Sequence, residues 1–127
     1  MAEATYKKQN LQFNKNDDKM RLRLSELQRK LDKVYLGGGQ KKIDKHHSKG
    51  KMTARERIDT LLDPGSERIE IGAFAGEGMY QEYGGCPSCG VVVMIGYVHG
   101  RQVIVVANDA TVKAGAWFPI TGKKNLR

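Results

Sequence analysis

At 127 residues the chain holds one domain at most, and 39% hydrophobic residues with 15 Gly leave it only a modest core. The formal net charge of +8 is uneven: residues 1–57 carry 16 Lys and Arg against 7 Asp and Glu, and residues 58–127 carry 6 against 7. Two Cys exclude a disulfide scaffold, no run approaches the roughly eighteen apolar residues of a membrane span, and the polar N-terminus lacks the apolar stretch of a secretion signal, so a cytoplasmic location is expected.

Residues 1–16 are polar and mixed and read as a flexible tail. Asp17-Asp18 predicts a helix start, with two carboxylates placed to cap it and to favour its dipole. Met20, Leu24, Leu27, Leu31 and Val34 then recur at alternating spacings of four and three, one apolar stripe on a helix that Gly37-Gly38-Gly39 ends. The stripe predicts a docking face for the rest of the protein or another subunit; its shortness weighs against a coiled-coil homodimer. Residues 40–51 are basic, with Lys41, Lys42, Lys45, Lys49 and Lys51 around His46-His47. The glycines before them lack both a preceding strand and the Gly-x-x-x-x-Gly-Lys-Ser/Thr pattern of a phosphate-binding P-loop. Adjacent His side chains point apart, and no further ligand stands at suitable spacing, so no metal site is assigned.

Thr53-Ala54-Arg55-Glu56 predicts a capping box, opening a short helix with Ile58, Leu61 and Leu62 on one face. Asp63-Pro64-Gly65 stops it. Ile69-Glu70-Ile71 reads as a short strand, and residues 72–85 as an irregular Gly-rich loop, mobile or functional. Cys86-Pro87-Ser88-Cys89 precedes a strand, whereas a thioredoxin-type step follows one. With no second pair of ligands, two thiols in a loop is the expectation, and a zinc site shared between subunits the alternative.

Residues 90–98 and 101–109 are apolar, β-branched runs around His99-Gly100, a hairpin signal. The unbroken apolar run 103–107 predicts cover on both faces of its strand. The loop of small and polar residues from 108 to 116 leaves a strand end, where α/β proteins often place ligands. Pro119 suits the first turn of a closing helix. The sequence stops inside that helical pattern without a C-cap, which predicts a piece of something longer.

Three stretches then point to a family. Gly37-Gly38-Gly39-Gln40-Lys41-Lys42-Ile43, Lys49-Gly50-Lys51-Met52-Thr53-Ala54-Arg55-Glu56-Arg57-Ile58 and Leu61-Leu62-Asp63-Pro64-Gly65-Ser66 resemble the N-terminal signature of carboxyltransferase (β) subunits of biotin-dependent acyl-CoA carboxylases. Asn108-Asp109-Ala110-Thr111-Val112-Lys113-Ala114-Gly115, with Pro119, Lys123-Lys124 and Leu126-Arg127, is similar to the same family, nearest its methylcrotonyl-CoA and propionyl-CoA carboxylase branch. The resemblance runs from Met20 to Arg127. It implies an α/β fold class: a partial crotonase-like (ClpP/crotonase) ββα unit preceded by N-terminal helices. In that division residues 1–16 are tail, 17–66 a helical segment, and 67–127 the truncated start of a carboxyltransferase N-terminal domain.

The resemblance also implies transfer of a carboxyl group between carboxybiotin and an acyl-CoA. Its partners would be biotin carboxyl carrier and biotin carboxylase components, in a homo-oligomer of the full-length subunit, with no metal in this chain. Such chemistry forms an enolate beside a thioester and needs backbone N–H groups for the oxyanions. In the family those donors lie in Gly-rich turns after later strands, so no catalytic residue is carried onto these positions and the chain alone is expected to be inactive. The Cys86 and Cys89 pair departs from the family. A zinc ribbon like that of bacterial acetyl-CoA carboxyltransferase subunits needs four Cys. Carboxylation and decarboxylation share the fold, so the direction stays open.

CoA carries a 3′-phosphate and a pyrophosphate, which attract Lys and bidentate Arg. Lys41, Lys42, Lys49, Lys51 and Arg55 are therefore the candidate ligand-binding cations. The competing reading is a solvated charged face, with Arg55 and Arg57 paired to Glu56, Asp59 or a neighbouring subunit. The charge excess also fits a small basic nucleic-acid-binding module, although the basic half lacks interleaved aromatics. A structural or assembly module built on the apolar stripe is a third reading.

Overall fold

The computed structural model describes residues 2–127, and the chain divides into two units, Met1–Asp32 and Lys33–Arg127. Helix α1 runs Ala2–Tyr35, so residues 2–16 are helical where a tail was expected. No Gly or Pro interrupts the sequence before Gly37. Side-chain pairs four residues apart run along it: Glu3–Lys7 at 3.0 Å, Gln12–Asn16 at 3.0 Å, Asp17–Arg21 at 2.8 Å and Gln28–Asp32 at 2.8 Å. Such exposed pairs support the helix only modestly. Asp17 therefore serves Arg21 within the helix and is not its cap. Among the described residues no helix is long and apolar enough to cross a membrane.

The second unit contains α2 (Gln40–His47), α3 (Ala54–Leu61), β1 (Ile69–Ile71), β2 (Val91–Val98), β3 (Arg101–Asn108) and α4 (Pro119–Leu126). The strands form one antiparallel sheet in the order β1-β2-β3. The sequence β2-β3-α4 is the expected ββα unit. His99 and Gly100 both have positive φ, 50° and 74°, the backbone that a two-residue hairpin turn demands. Asp63 secures this turn from outside the hairpin. Its carboxylate oxygens accept the His99 and Gly100 N–H groups at 2.7 Å each, and its own N–H donates to the Tyr97 carbonyl at 2.8 Å. The Asp-Pro-Gly step that ends α3 thus also fastens the sheet.

The capping box forms as expected: Thr53 N–H donates to Glu56 Oε2 at 2.7 Å, and Glu56 N–H to Thr53 Oγ1 at 3.3 Å. It aims the face of α3 at the sheet, where Ala54, Ile58 and Leu62 cluster with Val92 and Met94. Gly96 makes the contact possible, since a Cβ there would lie 2.8 Å from Leu62. Truncating a buried Ile such as Ile58 to Ala costs about 2–5 kcal/mol.

A second cluster, of Cys86, Cys89, Val91, Val112 and Phe118, gathers the irregular segment before β2 against α4. Tyr80 stacks on Phe118 at 4.3 Å between ring centroids. Lys124 Nζ ties the same region together from α4, within 3.1 Å of the Gly72, Ser88 and Val91 carbonyls. Burial pushes its ammonium pKa down.

The expectation of cover on both faces of β3 fails as well. Register aligns Ile69, Ile95 and Ile104 in one row and Ile71, Val93 and Val106 in the next, on the face opposite α3. Ile69, Ile104 and Val106 stay 65%, 67% and 55% exposed. Residues 103–107 are therefore covered on one face only, where Val103, Val105 and Ala107 pack on the α3 cluster. An unbroken apolar run records what a strand could bury, and α3 supplies a layer on only one side.

Candidate functional site

The loop after β3 is the organising piece. Asp109 Oδ1 accepts both the N–H and the Oγ1–H of Thr111, at 2.9 and 2.6 Å, which folds the loop back on itself. Thr111 Oγ1 in turn accepts the Gly38 N–H at 2.9 Å. The contact is close enough to exclude side chains: a Cβ at Gly38 would fall 1.8 Å from the Thr111 carbonyl oxygen, and one at Gly37 2.4 Å from Asp109 Oδ2. Two of the three glycines are thus spent on packing loop against loop, consistent with the absence of a P-loop.

Docking these loops brings α2 and the turn behind it beside residues 110–114. Lys42, Lys45, His46, Lys49 and Lys51 line one side of a cavity of about 410 Å³, with Ala110, Thr111 and Ala114 on the other. That volume lies within the roughly 300–1,000 Å³ of small-molecule sites. Four lysines are among its lining residues, and no carboxylate is. His46 also lines it, but its Nδ1 is buried away from the cavity's solvent and has no hydrogen-bond partner.

Of the five candidate cations, Lys42, Lys49 and Lys51 converge here. Lys41 does not line the cavity, because it lies one residue off the face that Lys42 presents. Arg55 goes elsewhere: its guanidinium forms a two-pronged ion pair with Glu70, at 2.6 and 2.8 Å, and stacks 4.3 Å from the Tyr35 ring centroid. Neither expected partner, Glu56 nor Asp59, takes it. Glu56 instead meets His47 Nε2 at 2.8 Å; the Thr53 N–H, and then His47, hold its carboxyl below the usual range. Asp59 pairs with Arg68.

Sequence reasoning left Lys45 and His46 out of the candidate set. Their signal was present: 42, 45 and 46 stand at i, i+3 and i+4, one face of α2, and Lys49 follows in the turn behind it. A second cavity, about 360 Å³, lies among Tyr35, Arg55, Asp59, Arg68, Glu70 and Met94. Its two Arg are already neutralised by Glu70 and Asp59, so it offers a polyanion far less than the lysine cavity does.

Cys86 and Cys89 are free, buried thiols. Burial raises both pKa values, the neighbouring Cys89 raising that of Cys86 further. Thiols so held are poor nucleophiles at neutral pH.

Residues 45–127 match the family model described as the carboxyl transferase domain. Among curated proteins, the chain is 46% identical over 110 residues to the biotin-dependent 3-methylcrotonyl-coenzyme A carboxylase beta1 subunit of Mycobacterium tuberculosis, covering 87% of this chain and 20% of that protein. It is 45% identical over 115 residues to the mitochondrial methylcrotonoyl-CoA carboxylase beta chain of Arabidopsis thaliana, covering 91% and 19%. The chain therefore spans about a fifth of the length of the curated relatives it matches. Among solved structures, it superimposes on transcarboxylase 12S with a TM-score of 0.76 at 34% identity, over 84% of this chain and 21% of that one. The beta subunit of Pseudomonas aeruginosa geranyl-CoA carboxylase gives a TM-score of 0.63 at 31% identity, over 81% and 18%. These matches give no support to a nucleic-acid-binding module. The α/β unit is a partial crotonase-type fold, and on both sequence and structure the chain belongs to the carboxyl transferase domain family.

Proposed function

We propose that this chain is the N-terminal part of a carboxyltransferase subunit, that the whole subunit transfers a carboxyl group between carboxybiotin and an acyl-CoA, and that the lysine cavity receives the CoA phosphates. The observation that carries the site is four lysines lining one cavity with no carboxylate among its lining residues. Phosphate oxygens accept; Lys ammonium groups donate; the charges are opposite. Lys42, Lys49 and Lys51 keep the assignment drawn from sequence, joined by Lys45. Arg55 is assigned to the fold through Glu70, and Lys41 to the solvated surface.

The names of the relatives supply the remainder of the reading: biotin dependence, acyl-CoA substrates and, for transcarboxylase 12S, a hexamer. In this reading biotin arrives on a carrier component, charged by a biotin carboxylase component, and the subunit works as a homo-oligomer. We assign no residue of this chain to biotin and no catalytic role to any residue. The free thiols of Cys86 and Cys89 suit a reducing compartment, the cytoplasm in this proposal.

Titration calorimetry of CoA into the 127-residue chain tests the site. Lys49→Ala with Lys51→Ala should weaken binding about tenfold, or about 1.4 kcal/mol, and flatten its salt dependence. Dephospho-CoA should lose less from the double substitution than CoA does. The chain alone should turn over no acyl-CoA. Equal affinities for wild type and variant across a salt series would return the lysines to the solvated surface.

A further inference from the structure

The lysine cavity carries no countercharge on its own walls. Lys42, Lys45, Lys49 and Lys51 are exposed side chains, and no carboxylate lies among the lining residues. The carboxylates nearest to them in the fold face other partners. Asp44 Oδ1 accepts from Gln40 Nε2 at 2.8 Å, Glu56 meets His47, and Asp109 holds Thr111. A ligand seated here has to bring the negative charge itself.

The backbone on both sides of the cavity is already engaged. In the turn behind α2 the N–H groups of Ser48, Lys49, Gly50 and Lys51 donate to carbonyls of the helix, at 2.8, 3.1, 2.9 and 3.0 Å. On the facing loop the N–H groups of Thr111 and Val112 donate to Asp109, at 2.9 and 3.0 Å. A phosphate-binding loop fixes the geometry of its ligand through such groups. In this cavity the cations are lysines, point charges on flexible stems, and no Arg fork is among the lining residues. The walls also lack the means to read a base. The lining residues include no Phe, Tyr or Trp to stack on one and no Asn, Gln, Asp or Glu to pair with its edge.

We infer that the cavity reads charge and not the identity of the nucleotide, so that free nucleoside triphosphates occupy it in competition with CoA. This rests on the reading of the lysine cavity as an anion site. CoA and a nucleoside triphosphate each carry about four negative charges near neutral pH, against the four lysines of the cavity. Coulomb attraction to flexible ammonium groups tolerates a change in ligand shape that a rigid cradle would reject. The consequence is regulation: CoA occupancy falls as free triphosphate rises. Magnesium opposes the effect, because Mg2+ bound to the phosphates cancels half of the charge of the triphosphate.

Titration calorimetry of the 127-residue chain with CoA, ATP, GTP, AMP and inorganic tripolyphosphate tests this. In magnesium-free buffer ATP, GTP and tripolyphosphate should bind within about threefold of CoA, and AMP about tenfold more weakly. ATP should displace CoA, and excess Mg2+ should weaken that displacement. Lys42→Ala with Lys45→Ala, both at exposed positions, should weaken CoA, ATP and tripolyphosphate together. Lys8→Ala with Lys15→Ala on α1 should leave all three unchanged. CoA binding that neither ATP nor tripolyphosphate displaces would overturn the inference and leave the CoA assignment standing. A strong preference for ATP over GTP and tripolyphosphate would overturn it too, since the base would then be read. Polyphosphate binding that survives Lys42→Ala with Lys45→Ala would place the anion outside the cavity and overturn it as well. Polyphosphate binding lost in that variant, in a chain that does not bind CoA, would uphold the inference and overturn the CoA assignment instead.

Discussion

Arg55 shows how a single side chain is claimed by one site rather than another. It stands in the middle of a basic segment, and its sequence neighbours suggest a phosphate ligand. In the folded chain its fork meets the Glu70 carboxylate, and both side chains are largely withdrawn from water, at 20% and 9% exposure. Removing one partner of such a pair strands the other. We expect Arg55→Ala to cost about 3–5 kcal/mol in urea unfolding. Arg55→Met with Glu70→Leu should recover most of that loss, because no buried charge is then left alone. A stable Arg55→Ala protein with weakened CoA binding would show that the ion pair matters little and that Arg55 belongs with the ligand cations after all.

Among the elements, the β2-β3 hairpin depends on a residue outside it. Asp63 receives two turn N–H groups, and the Gly100 N–H first, then that of His99, hold its carboxyl pKa below the usual range. A carboxyl whose folded pKa lies below its unfolded value stabilises the fold at neutral pH. That contribution fades as pH falls from the ordinary Asp value through the lowered one. Thermal melts from neutral to strongly acid pH should therefore show wild type losing its margin over Asp63→Asn on acidification. Glu56, shifted in the same direction, is present in both proteins and drops out of the difference. Parallel profiles for the two proteins would mean that the turn holds without the carboxylate. The helix α1 makes the complementary point. Its extension to Ala2 follows from an uninterrupted helix-compatible sequence with pairs four residues apart, and no capping signal at Asp17 overrides that continuity.

At the scale of the molecule, the sheet is half covered. One face carries α3; the other presents Ile69, Ile104 and Val106 to solvent in adjacent rows. Contiguous exposed apolar surface of this kind binds apolar dyes and promotes association. Ile104→Lys with Val106→Lys should lower anilinonaphthalene sulfonate fluorescence of the 127-residue chain without lowering its melting temperature, since neither side chain is buried. Unchanged dye fluorescence would place the dye on another surface. A fall of several degrees in the melt would show that these residues pack more than their exposure indicates.

The elements legible in the sequence are those written in short-range chemistry. A Thr-x-x-Glu box closes within one helical turn, an X-Gly step bends a hairpin, and β-branched runs extend on either side of it. The hydrogen bonds that define each join residues only a few positions apart, so the order of residues is enough. The family motifs share that property, being contiguous stretches. What only the tertiary structure decided is which of these local pieces meet. Gly38 needs its missing side chain because Thr111 packs against it, a contact across 73 residues. Lys42 and Lys51 share a cavity with Ala114, and Arg55 is taken by Glu70, because the chain turns back between them. The open face of β3 follows from the single layer that α3 provides. Burial and charge pairing are properties of neighbours in space, and in this chain those neighbours are supplied by loop docking and strand register, which no local pattern of residues records.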